Sequence, residues 1–143
     1  MGVAGQSIPS GVTTTLTAYD VVQLNVGGIS YNAGTGVFSV PSPGRYLVEA
    51  LVTFGETAAP STSRQVFINY INAVNPVNNA VIGADNRLSD VGFPTRVTVT
   101  AFYDMQAGDG IQVQVFQNSG ANVTAVGGAA NMVSITRLCG PSS

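Results

Sequence analysis

The chain has 143 residues, a net charge of −2 at neutral pH, and charged side chains at only 8% of its positions. This length is enough for one domain with its own core, and five scattered arginines without any lysine exclude the basic surface that nucleic-acid binding requires. So little charge also predicts that part of the folded surface is covered by another subunit, because subunit interfaces resemble protein interiors.

Segments with strand character follow one another along most of the chain. Residues 19–54 hold a short strand, a polar turn, a second strand that ends at PSPG, and a long strand at 45–54 whose even-numbered positions are all apolar. Further strands are predicted at 65–71, 96–104, 111–117 and 132–138. Polar loops are predicted at 55–63, 72–79, 83–94 and 118–130. This pattern is typical of an antiparallel sandwich or jelly roll with about eight to ten strands.

Several short motifs occur along the chain in a recognisable order. They are NVGG (25–28), YN (31–32), TGVF (35–38), PSPG (41–44), YLV (46–48), AGD (107–109), IQV (111–113) and SITRL (134–138). In order and spacing, this set resembles the C1q/TNF-type jelly-roll family over residues 12–138. The resemblance implies an all-β antiparallel jelly-roll sandwich of about ten strands that assembles as a trimer, with the inner sheet of each subunit facing the threefold axis.

The expected organisation is an N-terminal arm at 1–11, a C1q/TNF-like jelly-roll domain at 12–139 and a C-terminal tail at 140–143. The first residues lack the basic start and apolar segment of a secretory signal, and no stalk precedes the first strand. No apolar run approaches the roughly 20 residues that span a bilayer. A jelly roll of this kind resembles the modules on bacteriophage virions. We therefore expect a soluble protein, made in the host cytoplasm and carried on the capsid exterior.

Catalysis is poorly supported by the residue types present, although paired carboxylates for glycoside hydrolysis remain possible in principle. Without histidine there is no Ser-His-Asp or Cys-His pair, and without lysine there is no Schiff base or Ser-Lys dyad. Cys139, the single cysteine, follows the last predicted strand, and its thiol is not expected to act as a nucleophile. We predict a protein that is not an enzyme and that needs no cofactor or metal.

Two sets of residues are predicted to make contacts with other molecules. The outward-facing positions of the strands at 45–54 and 96–104 carry apolar side chains that solvent would not favour, which indicates a subunit interface. The predicted trimer interface consists of Arg45, Leu47, Glu49, Leu51, Thr98, Thr100 and Phe102. A capsid-docking arm is predicted at Met1, Gly2, Val3, Ile8 and Pro9.

The predicted function is a non-enzymatic virion structural protein: a homotrimeric decoration or cement knob that binds the major capsid protein of a bacteriophage. One alternative is a receptor- or glycan-binding head of a phage fibre, with its contacts in the loops at 83–94 and 118–130 or with sugar rings stacked on tyrosines. The other is a bacterial surface or spore-coat trimer. Calcium could bind the acidic residues at 85–90 or 104–109, although such residues more often cap turns.

Overall fold

The computed structural model describes residues 5–17, 27–58, 61–126 and 131–140. These residues form eleven strands, a short 3-10 helix at Pro76–Asn78 and no α-helix. The strands are β1 (Gln6–Ile8), β2 (Thr14–Thr15), β3 (Ser30–Asn32), β4 (Val37–Ser39), β5 (Gly44–Phe54), β6 (Ser63–Ile71), β7 (Ala80–Leu88), β8 (Thr95–Met105), β9 (Gly110–Gln117), β10 (Val123–Ala125) and β11 (Met132–Cys139). The predicted all-β antiparallel sandwich is confirmed. The strand predicted at the start of 19–54 lies outside the described residues.

The strands make two antiparallel sheets. In sheet I, β5 lies at the centre, with β8 on one side and with β11, β10 and β1 on the other. In sheet II the order is β3-β4-β9-β6-β7, and β2 also pairs with β9. Strands β7 and β8 are therefore the edges of their sheets, and they lie on the same side of the sandwich, where Gly83 contacts the side chains of Val99 and Ala101.

The core lies between the two sheets and follows the period-two alternation of the strands. The even-numbered residues of β5 from Tyr46 to Phe54 are buried, as are Ile111, Val113 and Val115 of β9. Burying a large apolar side chain contributes roughly 1.5–3 kcal/mol, so these rows supply much of the stability of the sandwich. The apolar face predicted for the strand at 45–54 is confirmed as its inward face.

Two predicted loops contain strands. Strand β7 covers Ala80–Leu88, although 83–94 is predicted as a loop, and β10 covers Val123–Ala125 within the predicted loop 118–130. Most of β7 is exposed because it is an edge strand, so its polar composition hides the alternation that identifies half-buried strands. Strand β10 has three residues, too few for a periodic pattern.

The predicted N-terminal arm also contains a strand. Strand β1 pairs with β10, and Ile8 is fully buried in the core. The side chain of Gln117 donates to the backbone carbonyl of Ile8 at 2.9 Å, which fixes this strand to sheet II as well. Ile8 is therefore a core residue and not a docking residue, because its side chain fills the space between the sheets. Pro9 follows it at the exposed surface, and residues 1–4 lie outside the described residues.

Candidate interaction surface

The outer face of sheet I is the side turned away from sheet II, and it carries every residue of the predicted interface. The odd-numbered residues 45–51 of β5 lie on this face together with the even-numbered residues 98–102 of β8. Residues directly opposite each other on paired strands project to the same side. The structure therefore brings the seven predicted residues together on one surface.

Two rows of this face are apolar. In one row, Leu47 lies opposite Phe102, whose side chain is 62% exposed. In the other row, Leu51 lies between Thr98 of β8 and Met132 of β11, and Met132 is 54% exposed. Large apolar side chains gathered on one face are characteristic of interaction sites.

Met132 belongs to this surface but is absent from the predicted interface. The sequence predicts the strand that contains it, yet the strand's partner and register come only from the pairing of β11 with β5. No local signal in the sequence places Met132 beside Leu51, since 81 positions separate the two residues (132 − 51). A register prediction for the last strand would have been needed to find it.

A polar row lies between the two apolar rows. Glu49 of β5 is opposite Thr100 of β8 and Ser134 of β11. Glu49 and Thr100 are both exposed. The outer face thus has apolar groups on both sides of a central carboxylate flanked by hydroxyls.

An ion pair closes one end of the outer face. Arg45 donates from Nε and Nη2 to the two carboxylate oxygens of Asp104, each at 2.8 Å. The hydrogen bond and charge of Asp104 raise the pKa of the Arg45 guanidinium, and the hydrogen bond from Arg45 lowers the pKa of Asp104. Both side chains are more than half exposed, so the pair defines a polar rim more than it stabilises the fold. The partner of Arg45 is therefore supplied by the neighbouring strand within the same subunit.

Asp109, one of the acidic residues considered for calcium, has other partners. Asp109 is 2% exposed and accepts hydrogen bonds from the Tyr70 hydroxyl and from the backbone N–H groups of Ala73 and Gln106. Burial pulls the pKa of Asp109 upward as the largest single influence, but these three hydrogen bonds together outweigh it and leave the pKa below its ordinary value. Within the described ranges, no group of three or more metal-ligating residues forms a cation site. Asp109 fixes a turn, as acidic loop residues commonly do.

The tyrosines considered for sugar stacking are largely engaged in the fold. The ring of Tyr31 stacks on Phe38 with centroids 4.4 Å apart, and its hydroxyl donates to the carbonyl of Thr17 at 2.6 Å. Tyr70 is buried and its ring lies 4.5 Å from that of Tyr103. Tyr19 lies outside the described residues.

Cys139 ends β11 opposite Arg45, and its thiol is exposed and free. The described residues contain no helix with the length and apolar character needed to cross a membrane.

The fold has a close counterpart among solved structures. Eiger TNF from S. frugiperda superposes on 99% of this chain, over 93% of its own length, with a TM-score of 0.70 and 14% sequence identity. The chain has a TNF-like jelly-roll fold. This TNF-like fold confirms the architecture implied by the motif resemblance, although so low an identity carries no information on function.

The sequence has a viral relative. Over 137 residues the chain is 33% identical to an uncharacterized protein, L688, of Acanthamoeba polyphaga mimivirus. The match covers 95% of this chain and 56% of the mimiviral protein, so the chain spans little more than half the length of that relative. No protein-family model matches the chain. The chain thus combines a TNF-like fold with similarity to a viral protein. Its assignment to a bacteriophage and its position on a capsid stay predictions.

Proposed function

We propose that this chain is a non-enzymatic structural module of a virion, a homotrimeric knob that decorates or stabilises a viral capsid. The observation that carries the proposal is the outer face of sheet I, where large apolar side chains are exposed in a single subunit. The viral relative supports a role in a virus, and the lack of histidine and lysine supports a packing role over a catalytic one.

The outer face has the composition of a subunit interface. Interface cores are depleted in charge and enriched in Phe and Met, with polar groups at the rim. Phe102 and Met132 supply apolar groups on the two sides of the polar row that holds Glu49, and the Arg45–Asp104 pair lies at one end. In the assembly, three copies turn their outer faces toward one axis and remove these side chains from water. This arrangement also accounts for the small number of charges in the chain, since part of its surface is then not solvated.

A knob of this kind stabilises a capsid by mass action. It binds the assembled shell and not the dissociated subunits, so each bound copy lowers the free energy of the shell. Residues 1–3 are the candidates for the contact with the shell, together with exposed Pro9. Ile8 is excluded from this contact because it is buried in the core.

The assembly is tested by measuring the mass of the purified protein with light scattering. We expect the mass of three chains for the wild type and of one folded chain for Phe102→Asp, because a carboxylate at the interface would be buried without a partner. Val74→Asp is the matched control, since Val74 is 92% exposed on the loop between β6 and β7 and outside the outer face. A wild-type protein that is one folded chain at micromolar concentration would contradict the proposal.

The position on the virion is tested by cosedimentation with capsids purified from the virus that encodes the chain. We expect the trimer to bind and to raise the temperature at which the capsids dissociate. Deletion of residues 1–4 is the appropriate test of the arm, since a deletion through Ile8 would also remove β1 and damage the core. A trimer that leaves the capsids unbound and unchanged in stability would exclude decoration while leaving the assembly intact.

A further inference from the structure

A cavity of about 310 Å³ lies where β7 ends and β8 begins. It is lined by Arg87, Leu88, Asp90, Pro94, Thr95 and Arg96. Its volume lies near the lower end of the range for small-molecule sites, roughly 300–1,000 Å³. Arg96 is two residues from Thr98 on β8 and projects to the same side, so the cavity adjoins one end of the outer face.

The loop that forms this cavity is held to the rest of the sandwich. The backbone N–H of Ser89 donates to the carbonyl of Thr62 at 2.9 Å, and that of Ser61 donates to the carbonyl of Ser89 at 2.8 Å. The hydroxyls of Thr62 and Ser89 are also 2.9 Å apart, and Val91 forms a bridge with Thr57. A loop whose backbone is already held in place loses less conformational entropy when a ligand binds.

Positive charge collects at this corner of the molecule. Neither Arg87 nor Arg96 forms an ion pair with a carboxylate anywhere in the described ranges. Arg64 lies directly opposite Arg87 on the adjacent strand; it is fully buried, and its Nε and Nη2 atoms have no hydrogen-bond partner there. Like charges directly opposite each other on paired strands are unfavourable. Two of the five arginines thus line a cavity whose lining includes one acid, Asp90, and a third, Arg64, is the cross-strand neighbour of Arg87.

We propose that this cavity binds an acidic sugar, with the carboxylate or sulfate group of the sugar between Arg87 and Arg96. Guanidinium groups bind such oxyanions through paired, charge-assisted hydrogen bonds. Asp90 favours binding of a sugar over a simple anion. Its carboxylate repels a free oxyanion but accepts hydrogen bonds from the hydroxyl groups of a sugar. Leu88 and Pro94, which line the cavity, offer an apolar surface for the face of the ring.

The test is a calorimetric titration of the full-length protein with matched ligands. Glucuronate and glucose 6-sulfate carry the anionic group on a sugar, glucose is the neutral counterpart, and acetate and inorganic sulfate are the free anions. We expect both acidic sugars to bind, glucose to give no detectable binding, and the free anions to bind about tenfold more weakly, since they make no contact through hydroxyl groups.

Three variants identify the groups responsible. Arg87→Gln and Arg96→Gln should each weaken acidic-sugar binding by about tenfold, because each removes a charge-assisted hydrogen-bond donor. Arg137→Gln is the matched control, since it removes the same charge at a site where the guanidinium donates to the carbonyl of Pro43, and it should leave binding unchanged. Asp90→Asn should weaken binding of the acidic sugars and strengthen binding of inorganic sulfate.

The mass of each variant is measured alongside, so a loss of sugar binding is distinguished from a loss of assembly. Failure of both acidic sugars to bind the wild type would overturn the proposal, as would equal binding of glucose. Free sulfate that binds as tightly as glucose 6-sulfate would show a simple oxyanion site and would overturn the assignment to a sugar.

Discussion

Replacing Asp109 with asparagine tests the hydrogen bonds that fix the turn between β8 and β9. Oδ2 of Asp109 accepts from the Tyr70 hydroxyl at 2.7 Å and from the Gln106 N–H at 2.8 Å, and Oδ1 accepts from the Ala73 N–H at 3.0 Å. Asparagine has nearly the same shape, but one of its two terminal atoms is an NH₂ donor. That donor must face at least one of the three donors that surround the site.

The expected loss of stability is roughly 2 kcal/mol. The amide oxygen can take the position of Oδ2 and keep two bonds, each weaker by about 1 kcal/mol because the acceptor is neutral. The bond from Ala73, worth about 2 kcal/mol with a charged acceptor, is lost and replaced by two donors that face each other. About 2 kcal/mol returns because the buried group is no longer ionised.

The assay is denaturant unfolding of the wild type and Asp109→Asn at equal protein concentration, since dissociation of an assembly contributes to the measured stability. Asp85→Asn is the matched control: Asp85 is exposed on β7 and should change stability by less than about 0.5 kcal/mol. If Asp109→Asn stays within about 0.5 kcal/mol of the wild type, the three hydrogen bonds do not hold the turn as described.

The difference in stability between the wild type and Asp109→Asn is expected to depend on pH. The pKa of Asp109 is lower in the folded chain than in the unfolded chain, so its contribution is present above the unfolded pKa, near 4, and is lost as the pH falls through the folded pKa. The difference in stability between wild type and Asp109→Asn should therefore shrink below about pH 4. Asp104, whose pKa is also lowered, is present in both proteins and cancels in the comparison. A difference that grows with acidity would refute the linkage.

Two further changes test the packing of buried residues. Ile8→Ala should destabilise the fold by about 2–4 kcal/mol because it opens a cavity in the core. Ser7→Ala, on the exposed side of β1, is the control and should be nearly neutral. Equal effects of the two changes in thermal unfolding would show that β1 is a detachable arm. Arg64→Met should unfold at the same denaturant concentration as the wild type or a higher one, because burial lowers the pKa of Arg64 and two of its nitrogen atoms lack partners among the described residues. Arg87→Met, at the exposed position opposite Arg64, is the control for the lost charge. If Arg64→Met lowers the free energy of unfolding by more than about 1 kcal/mol and Arg87→Met does not, the buried guanidinium stabilises the fold and the prediction is wrong.

The candidate surface was predictable in part. The alternation in β5 and β8 places Leu47, Leu51 and Phe102 on one face of each strand, and the direct pairing of the two strands then brings them together. Met132 was not predictable, because its place beside Leu51 depends on the register of a strand that follows much later in the chain. Arg87 and Arg96 of the proposed sugar site also come together only in the folded chain, because the chain crosses between them from β7 of sheet II to β8 of sheet I.

The amino-acid sequence by itself determined the strand character of the chain, the inward faces of its long strands and the lack of histidine and lysine for catalysis. These properties are local, because side chains alternate across a strand whatever its partners are. Tertiary structure alone decided that Ile8 is a core residue, that residues 80–88 form an edge strand and that Arg64 is buried. Each of these depends on which distant segments pair and which faces pack together, and a short or exposed strand carries no periodic pattern that reports its partner.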